Sequence, residues 1–383
     1  MYLELEEKDF CEIRKKAVNM CCFRFLDVGL TLFSDNENVT TQFETIYKKF
    51  LIDDVPEESL RCYIIRKSTL TKGPCVIIED VLYRLPESIS YISQAELMIF
   101  QRIIDRIGSY MLLHAGVVSK NDNAYIIYAM SSFGKTTLIL ELLSRGYKFL
   151  SDEYCPVNID DFSIAPFPRS LGLKNSSSFL SRIDMDKGLC LENENKIFVD
   201  CEDISPRSVG TTCKAKYLLM LTDRLDEPLS VDETDTVELM LFNDNKQIVD
   251  EITAHSEIKI LEKFERGFYA GYHFHIPPKK ELIRTFHDIW KRHERDVYYV
   301  YTIPRAKPNF NHPPAIAQME KSETVLEVLT NLINRSPASK LLERCGGKNA
   351  NILLKIGKFI EDVACYRMKP GTLHEMADII DNL

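Results

Sequence analysis

A lysine and a hydroxyl residue stand where a phosphate-binding loop would place them. Gly134, Lys135 and Thr136 end the pattern G-x-x-x-x-G-K-[ST], which is typical of such loops. Residues 124–128 before it are apolar and β-prone, and residues 136–145 after it repeat leucine and isoleucine at helical spacing. A strand, a small-residue turn and a helix N-terminus direct backbone N–H groups at an anion, and Lys135 adds a positive charge.

This arrangement predicts a site for ATP and Mg²⁺. The Thr136 hydroxyl is the group expected on the metal that bridges the phosphates. The loop residues predicted to contact the nucleotide are Ser131, Ser132, Phe133, Gly134, Lys135, Thr136 and Thr137.

Two loop positions depart from the usual pattern. Ala129 and Ser132 stand where glycine is common, and a Cβ at these positions resists positive φ. The alternative interpretation is an ordinary turn between a strand and a helix. The strand, loop and helix taken together favour the phosphate site.

Two carboxylates follow the next strand. Residues 147–150 are predicted to form that strand, and Asp152 and Glu153 come directly after it. Because strand ends line one crevice of an α/β sheet, both should face the bound phosphates. One could hold Mg²⁺ or its water shell, and the other could take a proton from an attacking hydroxyl. The alternative is a solvated turn or a helix cap. His114, before the strand that leads into the loop, lies near the same crevice.

Composition narrows the class of protein. The chain has 383 residues and a net charge of −9, which disfavours nonspecific binding to nucleic acid. No apolar run reaches the ~20 residues of a membrane span, and the acidic N-terminus lacks a signal-peptide profile. Eleven cysteines without a C-x-x-C pair indicate reduced thiols. We expect a cytoplasmic protein that binds neither nucleic acid nor membrane.

Periodicity predicts three regions. Residues 1–105 alternate β-like and helical segments, residues 106–318 contain the loop in an α/β core, and residues 319–383 are predicted to be helical, with helices over 325–333, 352–366 and 373–380. The pattern His273-x-His275 places both rings on one strand face, as in some metal sites, but buried or rim histidines are favoured because no acidic partner is near in sequence.

Residues 110–220 resemble the HPr kinase/phosphorylase family. The resemblance lies in four segments around His114, Gly134, Leu142 and Asp152, and the segment 165–174 is similar to HPr-kinase-related tailoring kinases of ribosomal peptide clusters. It implies an α/β fold with a nucleotide-binding core of the HPr kinase/phosphoenolpyruvate carboxykinase type, a small N-terminal α+β module and a helical C-terminal tail.

The resemblance also implies roles for individual residues. Lys135 and Thr136 would serve the phosphates and Mg²⁺, Asp152 would be the general base, and His114 would orient it. Glu153 would bind the metal or hold one of its ligands. Arg169 could bind the transferred phosphate, and the equally open alternative is a surface arginine beside two prolines. Glu202 is a weaker candidate metal ligand. The family's E-x-R-G-x-G signature is absent from the sequence, which argues against HPr as the substrate and against the reverse reaction.

The sequence is compatible with three functions. The first is a kinase acting on a serine or threonine hydroxyl of a peptide or small protein. The second is a nucleotide-binding regulatory module without phosphate transfer, and the third is a kinase of a small hydroxylated metabolite. The resemblance makes self-association into a homo-oligomer an expectation.

Overall fold

The fold is described from a computed structural model. The structure describes residues 2–4, 7–55, 58–68, 70–71, 73–85, 91–129, 133–174, 189–190, 196–222, 236–241, 244–266, 269–277, 279–293, 296–303 and 310–383. Ser131 and Ser132 of the predicted loop lie outside these residues.

The N-terminal region is a six-stranded sheet covered by helices. Its elements are β1 (Tyr2–Glu4), α1 (Glu7–Lys16), β2 (Asn19–Phe25), β3 (Val28–Ser34), α2 (Glu37–Ile46), a 3₁₀ turn (Lys48–Phe50), β4 (Ser59–Ser68), β5 (Gly73–Ile78), β6 (Val81–Arg84) and α3 (Tyr91–Arg106). The strand order is β1-β6-β5-β4-β3-β2, and only the β3–β4 pair of this sheet is parallel. Aromatic and branched side chains of β2, β3, α2 and α3 form one core between the sheet and the helices.

A larger sheet follows and carries the predicted loop. Its region contains β7 (Tyr110–His114), β8 (Gly116–Lys120), β9 (Asn123–Ala129), α4 (Lys135–Ser144), β10 (Lys148–Ser151), β11 (Tyr154–Asn158), β12 (Ser163–Ile164), β13 (Leu171–Lys174), β14 (Leu189–Cys190), β15 (Lys196–Val199), α5 (Cys201–Ile204) and β16 (Cys213–Leu221). The order along the sheet is β10-β8-β9-β16-β12-β11-β7, while β13, β15 and β14 form a small sheet.

The sheet bends back on itself near the loop. A single residue, Ala115, joins β7 to β8, and Asp152 and Glu153 join β10 to β11. β11 therefore also contacts β8 and β10, although it lies far from them along the strand order. The bend brings the end of β7 and the β10–β11 connection to the start of α4.

The predicted strand–loop–helix unit is confirmed in its described parts. β9 covers the residues predicted as a strand, is buried along most of its length and forms an antiparallel hairpin with β8. α4 begins at Lys135 and is followed by Gly146 at φ 85°. Together with several sheets and packed helices, this confirms a mixed α/β architecture.

Residues 236–303 form a sheet of their own. The elements are β17 (Thr236–Leu241), α6 (Lys246–Thr253), β18 (Lys259–Arg266), β19 (Tyr269–His275), α7 (Lys280–Arg292) and β20 (Val297–Ile303). Their sheet order is β18-β19-β17-β20, the split β-α-β arrangement, with its own core between the sheet and α6 and α7. The sequence predicted these strands as part of the central α/β core, and the structure separates them from it.

The last region corrects the predicted helical tail. Its elements are β21 (Ala315–Gln318), α8 (Lys321–Thr330), α9 (Lys340–Arg344), α10 (Asn349–Glu361), β22 (Ala364–Lys369) and α11 (Leu373–Asp381). The helix predicted over 352–366 ends at Glu361, and β22 pairs in parallel with β16. The edge of β16 presents backbone N–H and C=O groups that a strand satisfies and a helix cannot. The division into three domains stays a prediction.

Within the described part of the chain, no helix combines the length and apolar character needed to cross a bilayer. The ten cysteines whose side chains the structure describes are free thiols, as the sequence predicted.

α11 is joined to α4 by an arginine that touches several carboxylates. Arg145 contacts Asp378 at 2.7 Å, Asp381 at 2.9 Å and Glu141 at 3.1 Å, and its own side chain is 15% exposed. Arg145→Ala is expected to cost about 1–3 kcal/mol, since charge-assisted hydrogen bonds are lost from a partly buried site. Urea unfolding and hydrogen exchange in α11 measure the loss.

The matched control for this variant is Lys340→Ala. It breaks a pair whose side chains are 56% and 69% exposed, so a change below about 0.5 kcal/mol is expected. Equal effects of the two variants would contradict a special role for Arg145.

Candidate phosphate-binding site

The N-terminus of α4 begins at a glycine. Gly134 is the N-cap residue at φ 84°, a backbone conformation that glycine adopts without strain, and it has no side chain to cap the helix. Among the described residues, no side chain bonds to the first N–H groups of α4, which are the groups that bind an anion in phosphate sites. Phe133 is buried in the core beneath α4, so its side chain supports the loop, whereas Thr137 is half-buried.

A second glycine lets α4 lie close to the sheet. A Cβ on Gly116 of β8 would lie 2.3 Å from Ile139 Cδ1 and 3.3 Å from Lys135 Cγ. Ile139 is fully buried and has little room to move. The absence of a side chain at Gly116 thus sets the position of the first turn of α4, and Lys135 with it.

Lys135 and Thr136 both contact Asp152. The Lys135 ammonium donates to the Asp152 carbonyl and lies 3.7 Å from Asp152 Oδ1, with both side chains nearly buried. The Thr136 hydroxyl donates to Asp152 Oδ2 at 2.8 Å. Asp152 Oδ1 is buried and has no hydrogen-bond partner among the described residues. Three residues that the sequence predicted as one site are therefore in contact.

Glu153 is held by a partly buried arginine. Arg169 donates to Glu153 at 2.6 Å through one terminal nitrogen and to Glu96 of α3 at 2.8 Å through the other. Its side chain is 15% exposed. In this structure its guanidinium is paired with two carboxylates, and its predicted role as a phosphate ligand stays a prediction.

His114 stands at the end of β7, opposite Tyr154 in the strand register. The His114 ring remains in contact with solvent, but protein atoms are densely packed around it and remove part of its hydration. This desolvation, with the nearby Lys135 charge, lowers the pKa of His114 to about 4 although Glu153 opposes the shift. The imidazole is therefore neutral near pH 7.

This pKa gives a direct test. The depressed value means that stability contributed by neutral His114 is complete above about pH 6.5 and is lost as the pH falls toward 4. We expect the Hε1 resonance of His114, assigned with His114→Gln, to stay unchanged between about pH 8 and 5.5. Lys135→Met should raise the midpoint. A midpoint near 6.5 in the wild-type protein would contradict this description of the crevice.

Glu202 lies apart from the Thr136–Asp152 contact. Its carboxylate pairs with Lys49 of the N-terminal region, and Lys49 also lies 3.5 Å from Asp200. These ion pairs join the N-terminal region to α5. A metal role for Glu202 stays a prediction.

Sequence reasoning missed the residues that come from distant segments. Glu96 and Tyr47 lie in the N-terminal region and reach the site through Arg169. Phe310 is 39% exposed, and a Cβ on Gly134 would lie 3.1 Å from its ring. None of these residues belongs to a local motif, and only packing brings them to the loop.

His273 contacts two carboxylates that are distant from it in sequence. Strand register places it between Glu238 and Glu262, and its ring nitrogens lie 2.8 and 3.1 Å from their oxygens. However, no group of three or more His, Cys, Asp or Glu side chains in the described residues is arranged to hold a metal ion. The side chains of His273 and His275 are both half-buried.

Comparisons with known proteins give limited information. No family model matches the chain, and no curated protein matches it. Among solved structures, the HPr(Ser) kinase/phosphatase from Coxiella burnetii is found with 12% sequence identity, covering 48% of this chain and 95% of that chain. The TM-score is 0.21, which does not establish a shared fold.

Proposed function

We propose that this protein is an ATP- and Mg²⁺-dependent kinase that transfers a phosphate to a serine or threonine hydroxyl of a peptide or small protein. The observation that carries the proposal is the joint contact of Lys135 and Thr136 with Asp152 at the N-terminus of α4. A helix N-terminus, a lysine and a hydroxyl are what a nucleotide phosphate with Mg²⁺ requires. The sequence resemblance to HPr-kinase-like enzymes points to the same chemistry.

The residues present fit Mg²⁺. Thr136 donates its proton to Asp152, so the lone pairs of its oxygen remain available to a cation. The unpartnered Asp152 Oδ1 supplies a second hard oxygen. When bound, Mg²⁺ would neutralise the charge on the phosphates. Phosphate and water oxygens would complete its coordination, which agrees with the absence of a larger carboxylate cluster among the described residues.

We propose roles for the two carboxylates that are the reverse of those the resemblance implies. Asp152, bonded to Thr136, would lie beside the metal. Glu153 is the more exposed of the two, with a side chain 40% exposed against 12% for Asp152. Glu153 would therefore take the proton from the acceptor hydroxyl while the hydroxyl oxygen bonds to the γ-phosphorus and the bond from that phosphorus to ADP breaks, so that ADP leaves. Neutral His114 offers a hydrogen bond to the acceptor without adding charge.

A regulatory nucleotide-binding module is the second candidate. The observation that favours it is the ion pair between Glu153 and Arg169, which lowers the reactivity of the proposed base unless the acceptor displaces or uses it. Such a module would bind ATP and transfer no phosphate.

The experiment is transfer of γ-labelled phosphate from ATP into the peptides and proteins of a source-cell extract. Wild-type protein, Glu153→Gln and Lys135→Met are compared, and ATP binding is measured in parallel. A species labelled by the wild type alone supports the kinase and identifies the acceptor. ATP binding without any labelled species supports the regulatory module. No ATP binding by the wild type would reject both.

A further inference from the structure

Arg169 connects two carboxylates from different regions of the chain. It lies between β12 and β13, and its terminal nitrogens donate to Glu153 at 2.6 Å and to Glu96 at 2.8 Å. Glu153 follows β10 in the site, whereas Glu96 belongs to α3 of the N-terminal region. A planar guanidinium with two engaged ends has one orientation, and this orientation sets where the Glu153 carboxylate lies.

Aromatic rings of three segments enclose the guanidinium. Its central carbon lies 5.3 Å from the ring centre of Tyr47, 5.5 Å from that of Phe198 and 6.0 Å from that of Phe100. The Tyr47 hydroxyl donates to Glu96, and Tyr47 is fully buried. Cation–π contacts of this kind stabilise a desolvated arginine. The N-terminal region thus supplies two of the three rings and one of the two carboxylates.

The charges around Arg169 keep it ionised. Burial alone would lower the pKa of the guanidinium, but Tyr47, Glu96 and Glu153 outweigh burial and raise it. Two carboxylates thus share one cation. The described contacts of the Glu96 carboxylate are with Arg169 and Tyr47, so a change at Glu96 is expected to alter how firmly Arg169 holds Glu153.

We infer that Arg169 is a positioning residue for Glu153, and that Glu96 and Tyr47 hold Arg169 in place. This inference rests on the proposed function and extends it: the N-terminal region is a working part of the site, not only an attached module. An acceptor or partner that shifts α3 would then change the rate of transfer without touching the nucleotide.

The test compares Glu96→Gln, Arg169→Lys, Glu153→Gln and the Glu96→Gln/Glu153→Gln double variant. Single-turnover transfer is measured with the labelled acceptor, and the Kd of Mg·ATP is measured separately. We expect Glu96→Gln to lower the transfer rate about 10-fold to 100-fold while changing the Kd less than about twofold, because Glu153 is misplaced and the nucleotide site is not. Arg169→Lys keeps the charge but cannot span both carboxylates, so a similar loss is expected.

The decisive measurement is whether the effects of Glu96→Gln and Glu153→Gln on the transfer rate are coupled. If Glu96 acts through Arg169 on Glu153, Glu96→Gln has no further effect on the residual rate of Glu153→Gln. Lys49→Met is the matched control, because it breaks the Lys49–Glu202 pair that joins the same two regions without touching Arg169. Equal rate losses in Glu96→Gln and Lys49→Met, or losses that multiply in the double variant, would overturn the inference.

A second measurement does not depend on activity. The free energies of unfolding in urea of wild type, Glu96→Gln, Glu153→Gln and the double variant form a double-mutant cycle for Glu96 and Glu153. If the changes in unfolding free energy of the two single variants do not sum to that of the double variant, Glu96 and Glu153 are coupled through Arg169. If they do sum, the inference is overturned. If the wild type transfers phosphate to no acceptor, the proposed function fails, and this cycle still decides whether Arg169 links the two regions.

Discussion

Asp152→Asn is expected to lower the single-turnover rate of phosphate transfer about 100-fold or more and to raise the Mg²⁺ concentration that gives half the maximal rate. Asparagine retains an oxygen that can accept from Thr136, but it loses the negative charge next to Lys135 and the proposed metal. The fold should be unaffected, because the substitution changes neither volume nor the hydrogen bond. The measurement is a rapid-quench assay over a series of Mg²⁺ concentrations.

Glu153→Gln is the matched comparison. It should lower the rate by about 10²–10⁴-fold, which is the usual contribution of a general base, while the Mg²⁺ requirement stays that of the wild type. If Glu153→Gln shifts the Mg²⁺ requirement and Asp152→Asn does not, the two carboxylates have the roles that the sequence resemblance assigned to them. Full activity of Asp152→Asn would reject the site altogether.

Arg169→Ala is expected to destabilise the protein by about 1–3 kcal/mol, because charge-assisted hydrogen bonds are lost from a site in which Arg169 and Glu96 are largely buried and Glu153 is 40% exposed. The substitution leaves Glu96 nearly buried and without its cation, with Glu153 close by as a second negative charge. It also removes the stem that packs among Tyr47, Phe100 and Phe198.

Measurement of this effect needs a probe in the right region. The single tryptophan, Trp290, lies in α7 of the separate four-stranded unit, so its fluorescence reports on another core. Hydrogen exchange in α3 together with urea unfolding followed by circular dichroism is therefore appropriate. Arg344→Ala is the control: it breaks a pair whose side chains are 48% and 64% exposed, and a loss below about 0.5 kcal/mol is expected. A loss for Arg169→Ala as small as that of the control would contradict the buried pair.

The strand and the helix on either side of the candidate loop could be predicted because their determinants are local. The apolar strand before Ala129, the glycine at 134 and the leucine-rich helix after Lys135 are adjacent in sequence, and each favours the observed conformation by itself. Asp152 could be added because one helix and one strand separate it from the loop, and the geometry of that unit returns the chain to the same edge.

Other elements could not be predicted, since their stabilising contacts lie far along the chain. Residues 364–369 carry no signal strong enough to distinguish strand from helix, and the pairing with β16 decides between them. Strand register likewise places Glu238 and Glu262 on either side of His273. Both glutamates are too far from His273 in sequence for a local pattern to predict these contacts. The separate sheet of residues 236–303 follows from the same long-range pairing.

Arg169 illustrates the difference between what local sequence determines and what tertiary contacts determine. Its residue type and its position after the two carboxylates are sufficient to name Arg169 as a candidate phosphate ligand. The sequence leaves open whether Arg169 binds phosphate or is a surface arginine beside two prolines. The sequence by itself determined a strand and a helix joined at Gly134, Lys135 and Thr136 and a mixed α/β class, because short-range periodicity and backbone preference specify them. Tertiary structure alone decided that Arg169 lies between Glu96 and Glu153, and that Thr136 bonds to Asp152, because a side chain's partner depends on which distant segments packing brings within about 3 Å.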